Sequence, residues 1–386
     1  MSDASPDFAV PNDRTRSLAR LRELLWADPG NEGLWRKCAA LAVETADYSA
    51  LEELARTRLA IDQNNREALF HAATASIGLK RFGDAIAALA QLLEATPDEP
   101  AVLANLGLCH YALGQFAEAA SYLERGYELG GREADLLRLL VSSYHHLGRM
   151  SEAVEIAGEN LEAARQDAAL AGVFSLAFLD AGDPIKAARC VAWALKGNPR
   201  SIDGLVVQGT LDLGRLDLAA ATARFESVAA QVPDNGRAWI GLGTAALLRQ
   251  DLANAKTTLR RGVTFMPQHV GSWHLLAWTE LVSGNLDEAE RLFEHALDLD
   301  RNFAESHGSL AAVAALRGNS DRATRELEVA KRLDPGCVSA KFAASVLARN
   351  RGDAGGADEI IATTVATLTQ QNGGPLGALL ASLVRR

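Results

Sequence analysis

Alanine recurs every 34 residues nine times in succession, at Ala85, Ala119, Ala153, Ala187, Ala221, Ala255, Ala289, Ala323 and Ala357. A period that keeps its phase over so long a stretch means one structural unit repeated in tandem, each copy packing on its neighbours rather than around one central core. Other columns share the phase. Proline at Pro29, Pro97, Pro199, Pro233, Pro267 and Pro335 closes a unit, and glycine at Gly114, Gly148, Gly182, Gly284, Gly318 and Gly352 marks a turn inside it. Glycine reaches the left-handed conformation that ends a helix at little cost. Two departures stand out: Leu51 replaces the alanine of the first unit, and Arg165 replaces the closing proline of the fourth.

Between these marks the apolar residues follow a helical period, as in Trp239, Leu242, Gly243 and Ala246, then Leu252, Ala255, Leu259 and Val263 after the turn. Each unit therefore reads as helix, tight turn, helix. A small residue recurs in the first helix, at Ala39, Ala73, Gly107, Ser175, Gly209, Gly243, Ala277, Ala311 and Ser345, with Val141 the larger exception. Small side chains let two helices approach closely and fix their crossing. The composition agrees: 48% of residues are hydrophobic but only 6% aromatic, a bias that suits closely packed helices better than strands. A repeat array also explains how 386 residues avoid the usual limit on the size of a single core.

The most regular stretches, Leu103 to Tyr127 (LANLGLCHYALGQFAEAASYLERGY) and Trp273 to Leu297 (WHLLAWTELVSGNLDEAERLFEHAL), resemble the tetratricopeptide repeat family over about residues 32 to 371, as ten units. The resemblance implies an all-α, right-handed superhelical α-solenoid whose first helices line the inner face, and a protein that binds other proteins. A 35-residue repeat of the RNA-reading kind would have drifted out of phase. Asp212 and Glu280 occupy a column that is usually aromatic in the family. Two readings stand for them: partly solvated residues tolerated at a loosened contact, or polar anchors for a ligand.

The ends read as caps. Residues 1–13 form a flexible tail in which Phe8, Val10 and Pro11 could occupy a groove. Residues 14–29 resemble a second helix without its first, with Leu21, Leu24 and Leu25 available to cover the first repeat. Residues 372–386 form a short capping helix carrying Leu379, Leu380 and Leu383. Terminal units of an array need such covers because one face has no neighbour.

Function is expected on the flank of the first helices that packing leaves free. Spacing of i, i+4 and i+7 collects Phe70 and Ile77; Leu108 and Tyr111; Arg138 and His145; Leu176 and Leu179; Leu213; Ile240 and Leu247; and His274, Trp278 and Leu281, with Arg237 beside them. Such an apolar lining is either an interaction groove or a surface that the superhelix closes over. The groove reading has an extended or amphipathic helical peptide anchored by Phe70, Tyr111 and Trp278, with Arg138, Arg237, His145 and His146 meeting its carboxylates.

Chemistry of other kinds finds no support. Phosphate loops, nucleophile elbows, dinucleotide turns and zinc-protease motifs are missing, so neither an enzyme activity nor a cofactor is expected. Adjacent His145 and His146 diverge by about 100° on a helix and make a poor metal pair. The four cysteines are scattered without metal or redox spacing. A net charge of −10 disfavours nucleic acid and anionic membranes as partners. The start of the sequence lacks the parts of a secretory signal, and no apolar run is long enough to span a bilayer, which points to the cytoplasm. The expected role is a scaffold or adaptor for protein segments, chaperone-like in one version; the alternative is a regulatory or substrate-presenting subunit of an enzyme.

Overall fold

The structure is a computed structural model and describes residues 13–370. The expected terminal tail and the helix expected at 372–386 lie outside the described residues, apart from Asp13. The chain divides after Ala181 into two units. In the first lie α1 (Asp13–Ala27), α2 (Glu32–Glu44), α3 (Tyr48–Ile61), α4 (Arg66–Gly78), α5 (Phe82–Ala95), α6 (Pro100–Ala112), α7 (Phe116–Glu128), α8 (Ala134–His146), α9 (Met150–Glu159), α10 (Leu161–Gln166) and α11 (Ala168–Asp180). In the second lie α12 (Pro184–Gly197), α13 (Ile202–Gly214), α14 (Leu218–Gln231), α15 (Gly236–Leu248), α16 (Leu252–Phe265), α17 (Val270–Val282), α18 (Leu286–Leu299), α19 (Ala304–Leu316), α20 (Ser320–Leu333), α21 (Val338–Asn350) and α22 (Ala354–Gln370). Both units are runs of helix–turn–helix repeats, and the fold is an all-α solenoid. Neighbouring helices pack pairwise, and first helices also touch the first helix of the next repeat, as α6 touches α8 and α19 touches α21.

The repeating columns explain this packing. All nine alanines of the 34-residue series are fully buried, as is Leu51 in the same column. A Cβ at Gly107 would run into Leu123, and one at Gly243 into Leu259, so the small-residue column sets the distance between the two helices of a repeat. Side-chain caps fix where the helices begin. Asn31, Asn65, Asp167, Ser201 and Asn235 accept a backbone N–H at the start of first helices, and Asp47, Asp183, Asp217 and Asp251 do so for second helices. Each such cap is worth about 1 kcal/mol.

The turn inside each repeat is left-handed throughout. Gly114, Gly148, Gly182, Gly284, Gly318 and Gly352 have φ between 70° and 84°. Ala46, Lys80, Leu216 and Gln250 stand in the same column and adopt φ of 53°, 59°, 60° and 65° without being glycine. An L residue there pays a steric cost of about 1–2 kcal/mol, so the packing of the two helices imposes the turn.

Where the closing proline is absent, the second helix breaks differently. It is interrupted at Asn160, whose Nδ2 donates to the Ile156 carbonyl at 2.8 Å, and α10 then runs on to Gln166. At the N-terminal end the cover differs in detail from expectation. Leu18 and Leu25 of α1 are buried with Leu21 packed beside them, whereas Leu24 is 58% exposed.

Candidate peptide-binding surface

In the first unit, the flank residues of α4, α6, α8 and α11 are neither buried nor free. Phe70, Ile77, Leu108, Tyr111, Arg138, His145, Leu176 and Leu179 are all half-buried. Helical spacing places them on one side of each first helix, and neighbouring helices are tied together along that side. Tyr111 of α6 meets Phe116 edge-on at 5.4 Å and His146 of α8 at 6.0 Å, while Phe116 and His146 stack in parallel at 4.0 Å. His145 Nε2 lies 2.6 Å from the Asp180 carboxylate at the end of α11. The two histidines thus take separate tasks. Burial, and then its neighbour His145, pushes the His146 imidazole below its ordinary pKa, so His146 serves as a neutral aromatic plate. The cations expected to meet a partner's carboxylates already hold carboxylates of the chain, since Arg138 also pairs with Asp135 at 3.0 Å.

The same columns of the second unit are largely closed. Arg237 and Ile240 are half-buried, but Leu213, Leu247, His274, Trp278 and Leu281 are buried, Trp278 completely. In this conformation they offer a partner no surface, contrary to the expectation for Trp278 as an anchor. The Trp278 ring lies between Phe293 at 5.7 Å and Phe342 of α21 at 5.6 Å, so a first helix reaches past α19 to the repeat after next. It can do so because α19 presents Ala312 in the column of Trp278 and Gly308 in that of Phe342. A Cβ at Gly308 would come within 2.6 Å of the Ala340 amide nitrogen, which shows how closely α19 and α21 approach. A large–small–large order at 34-residue spacing was the available sequence signal.

One turn from Trp278, His274 packs against Phe293 at 5.3 Å and Phe303 at 5.2 Å, with Nε2 2.8 Å from Ser306 Oγ. Burial pushes its imidazole down to about 4, so it is neutral at pH 7. His274 Nδ1 and Trp278 Nε1 are buried without a hydrogen-bond partner.

Asp212 and Glu280 also differ from the partly solvated residues expected. Both are buried, Glu280 to 1% exposure. Asp212 accepts from Arg224 Nε at 2.6 Å and Gln208 Nε2 at 2.9 Å. Glu280 accepts from Arg260 at 2.7 Å and Asn285 at 2.6 Å, with Lys256 Nζ 3.5 Å away. The aromatic volume usual in this column is replaced by an ion pair between helices. The basic residues at helical offsets on α14 and α16 were the signal for it, missed because each carboxylate was considered alone.

The cysteines are buried, and burial raises the thiols of Cys109 and Cys190 to about 11 and that of Cys337 to about 12. They act as packing groups rather than nucleophiles. Among the described residues no helix is long and apolar enough to cross a membrane.

No curated protein matches the chain. Among solved structures, the crystal structure of the APC/C hetero-tetramer Cut9-Hcn1 is similar over 96% of this chain and 83% of that one, at 15% identity and a TM-score of 0.50. A crystal structure of MamA covers 41% of this chain and 92% of its own, at 18% identity and a TM-score of 0.36. The MamA RS-1 ArsTM double mutant covers 44% and 94%, at 20% identity and a TM-score of 0.37. At these identities the Cut9-Hcn1 likeness concerns the fold. The sequence profile of the tetratricopeptide repeat matches residues 72–132, 110–169, 206–267 and 274–337, more than half of the chain. With its buried alanine column and left-handed turns at a 34-residue period, the chain belongs to the tetratricopeptide repeat family and is built as a protein-binding scaffold.

Proposed function

We propose that this scaffold holds an apolar segment of a partner protein, extended or amphipathic helical, along the first helices of its N-terminal unit. The observation that carries the reading is the half-buried strip of Phe70, Ile77, Leu108, Tyr111, Leu176 and Leu179. Apolar side chains held in place by their neighbours but still open on one side are pre-organised anchors, and a rim of charged residues such as Arg138 suits the edge of such an interface. The matching columns of the second unit serve cohesion instead. Residues 32–371 are taken as ten tandem repeats, working in the cytoplasm. The net charge of −10 favours protein over nucleic acid as the partner.

The test is capture of partners from native lysate on wild-type protein and on Leu108→Glu, with circular dichroism confirming equal helicity. Loss of the captured proteins with Leu108→Glu supports the strip; their retention sinks it. One catalytic chain recovered at fixed stoichiometry would make the protein a substrate-presenting subunit, whereas a varied set of clients would make it a chaperone-like holder.

A further inference from the structure

A cleft of about 530 Å³ opens between second helices α14 and α16, floored by the α15 face that carries Trp239, Leu242, Ala246 and Arg249. At 100° per residue this face lies opposite the one carrying Ile240, Thr244 and Leu247, so the cleft is separate from the first-helix flank. Its size is in the range of sites that bury a small ligand or a few side chains.

The repeat column explains why it is open and what it lacks. In the flanking repeats Ala246 is replaced by Asp212 and Glu280, each a buried carboxylate bonded to basic side chains of second helices. Here the carboxylate is missing and two guanidiniums remain. Arg261 lies over the Trp239 ring at 3.9 Å, and Arg249 donates to the Leu218 carbonyl at 2.6 Å. Neither has a carboxylate partner among the described residues, although the chain carries an excess of acid. A guanidinium has five N–H donors in a fork that fits a carboxylate, so donors remain unused at both. Glu226 is the one acidic side chain lining the cleft.

We propose that this cleft docks an acidic segment of a partner protein: a carboxylate takes the place held internally by Asp212 and Glu280 in the adjacent repeats, and an apolar neighbour packs on Leu242 and Ala246. Charge complementarity and the empty column position together specify this occupant. The site is independent of the strip on the first unit.

Fluorescence anisotropy with the full chain and a fluorescein-labelled peptide, Gly-Ser-Glu-Leu-Glu-Ser-Gly, tests it against the same peptide with both glutamates replaced by glutamine. The glutamate peptide should bind at least about tenfold more tightly, and Arg249→Gln and Arg261→Gln should each weaken it by roughly tenfold. Ala246→Glu supplies the missing carboxylate internally and should abolish binding. Glu226→Gln removes the repelling charge and should tighten binding roughly two- to fivefold; it touches no packed residue, so it serves even where Ala246→Glu folds poorly. Leu108→Glu should leave this binding unchanged. Equal binding of the two peptides, no saturable binding, insensitivity to Arg261→Gln, or equal competition by a single-stranded oligonucleotide would each overturn the proposal.

Discussion

The first-helix flanks of the two units share the same columns of one repeat, yet Phe70, Leu108 and Tyr111 are half open while Leu247, His274, Trp278 and Leu281 are sealed. Nothing in the register separates them. The difference comes from what the neighbouring repeats carry: around Tyr111 the large rings are adjacent and prop one another at the surface, while Trp278 finds small residues on α19 and passes over them to Phe342. Exposure in such an array is therefore a property of a series of side chains 34 residues apart, not of a column.

The sharpest way to break this contrast is by truncation. Trp278→Ala should lower stability by about 3–5 kcal/mol and Phe70→Ala by only about 1–2 kcal/mol. Urea unfolding followed by circular dichroism measures both, and equal losses would erase the distinction between the two flanks.

Acid offers a second approach. The folded pKa of His274 is depressed to about 4 from an unfolded value near 6.5, so the folded state refuses a proton that the unfolded state takes up. The stability this gives is fully present above about pH 6.5 and is lost as pH falls towards 4. The loss attributable to His274 is of the order of 3 kcal/mol. Unfolding free energies at pH 7 and pH 4 should differ by that much less in His274→Leu than in the wild type. An unchanged difference would mean that water reaches the imidazole and that the seam is open.

A smaller effect is expected where the second unit replaces an aromatic with an ion pair. Glu280→Ala strands Lys256 and Arg260, but Arg260 is more than half exposed and recovers solvent. The cost should be about 2–3 kcal/mol, below that of a wholly buried pair. Thermal unfolding at low and high salt checks it, since the pair's contribution should persist in salt when the carboxylate is buried.

Much of the fold was legible because the signal is repeated. The alanine column, the left-handed turns and the small residues of the first helices each recur often enough to fix the register, and all take the places the spacing assigns them. The flank residues were legible as a set, but their burial was not. Burial depends on pairs such as Trp278 and Phe342, 64 residues apart, whose contact needs both large ends and a small middle. Ion pairs were misjudged for a related reason. Asp212 reads as solvated when considered alone and as buried once Arg224, one helix further on, is given its place. Leu24 and Leu18 of α1 show the remaining error, a rotation of a terminal helix that has no preceding repeat to set its phase.

The four turns made by Ala46, Lys80, Leu216 and Gln250 carry a final consequence. A message copied along the chain has been overwritten at these positions, and it is still obeyed. Instruction for the turn resides in the helices on either side, so any one letter can drift while the shape persists. Such an architecture accumulates variety cheaply, and its oldest copies become unreadable as text long before they change as objects.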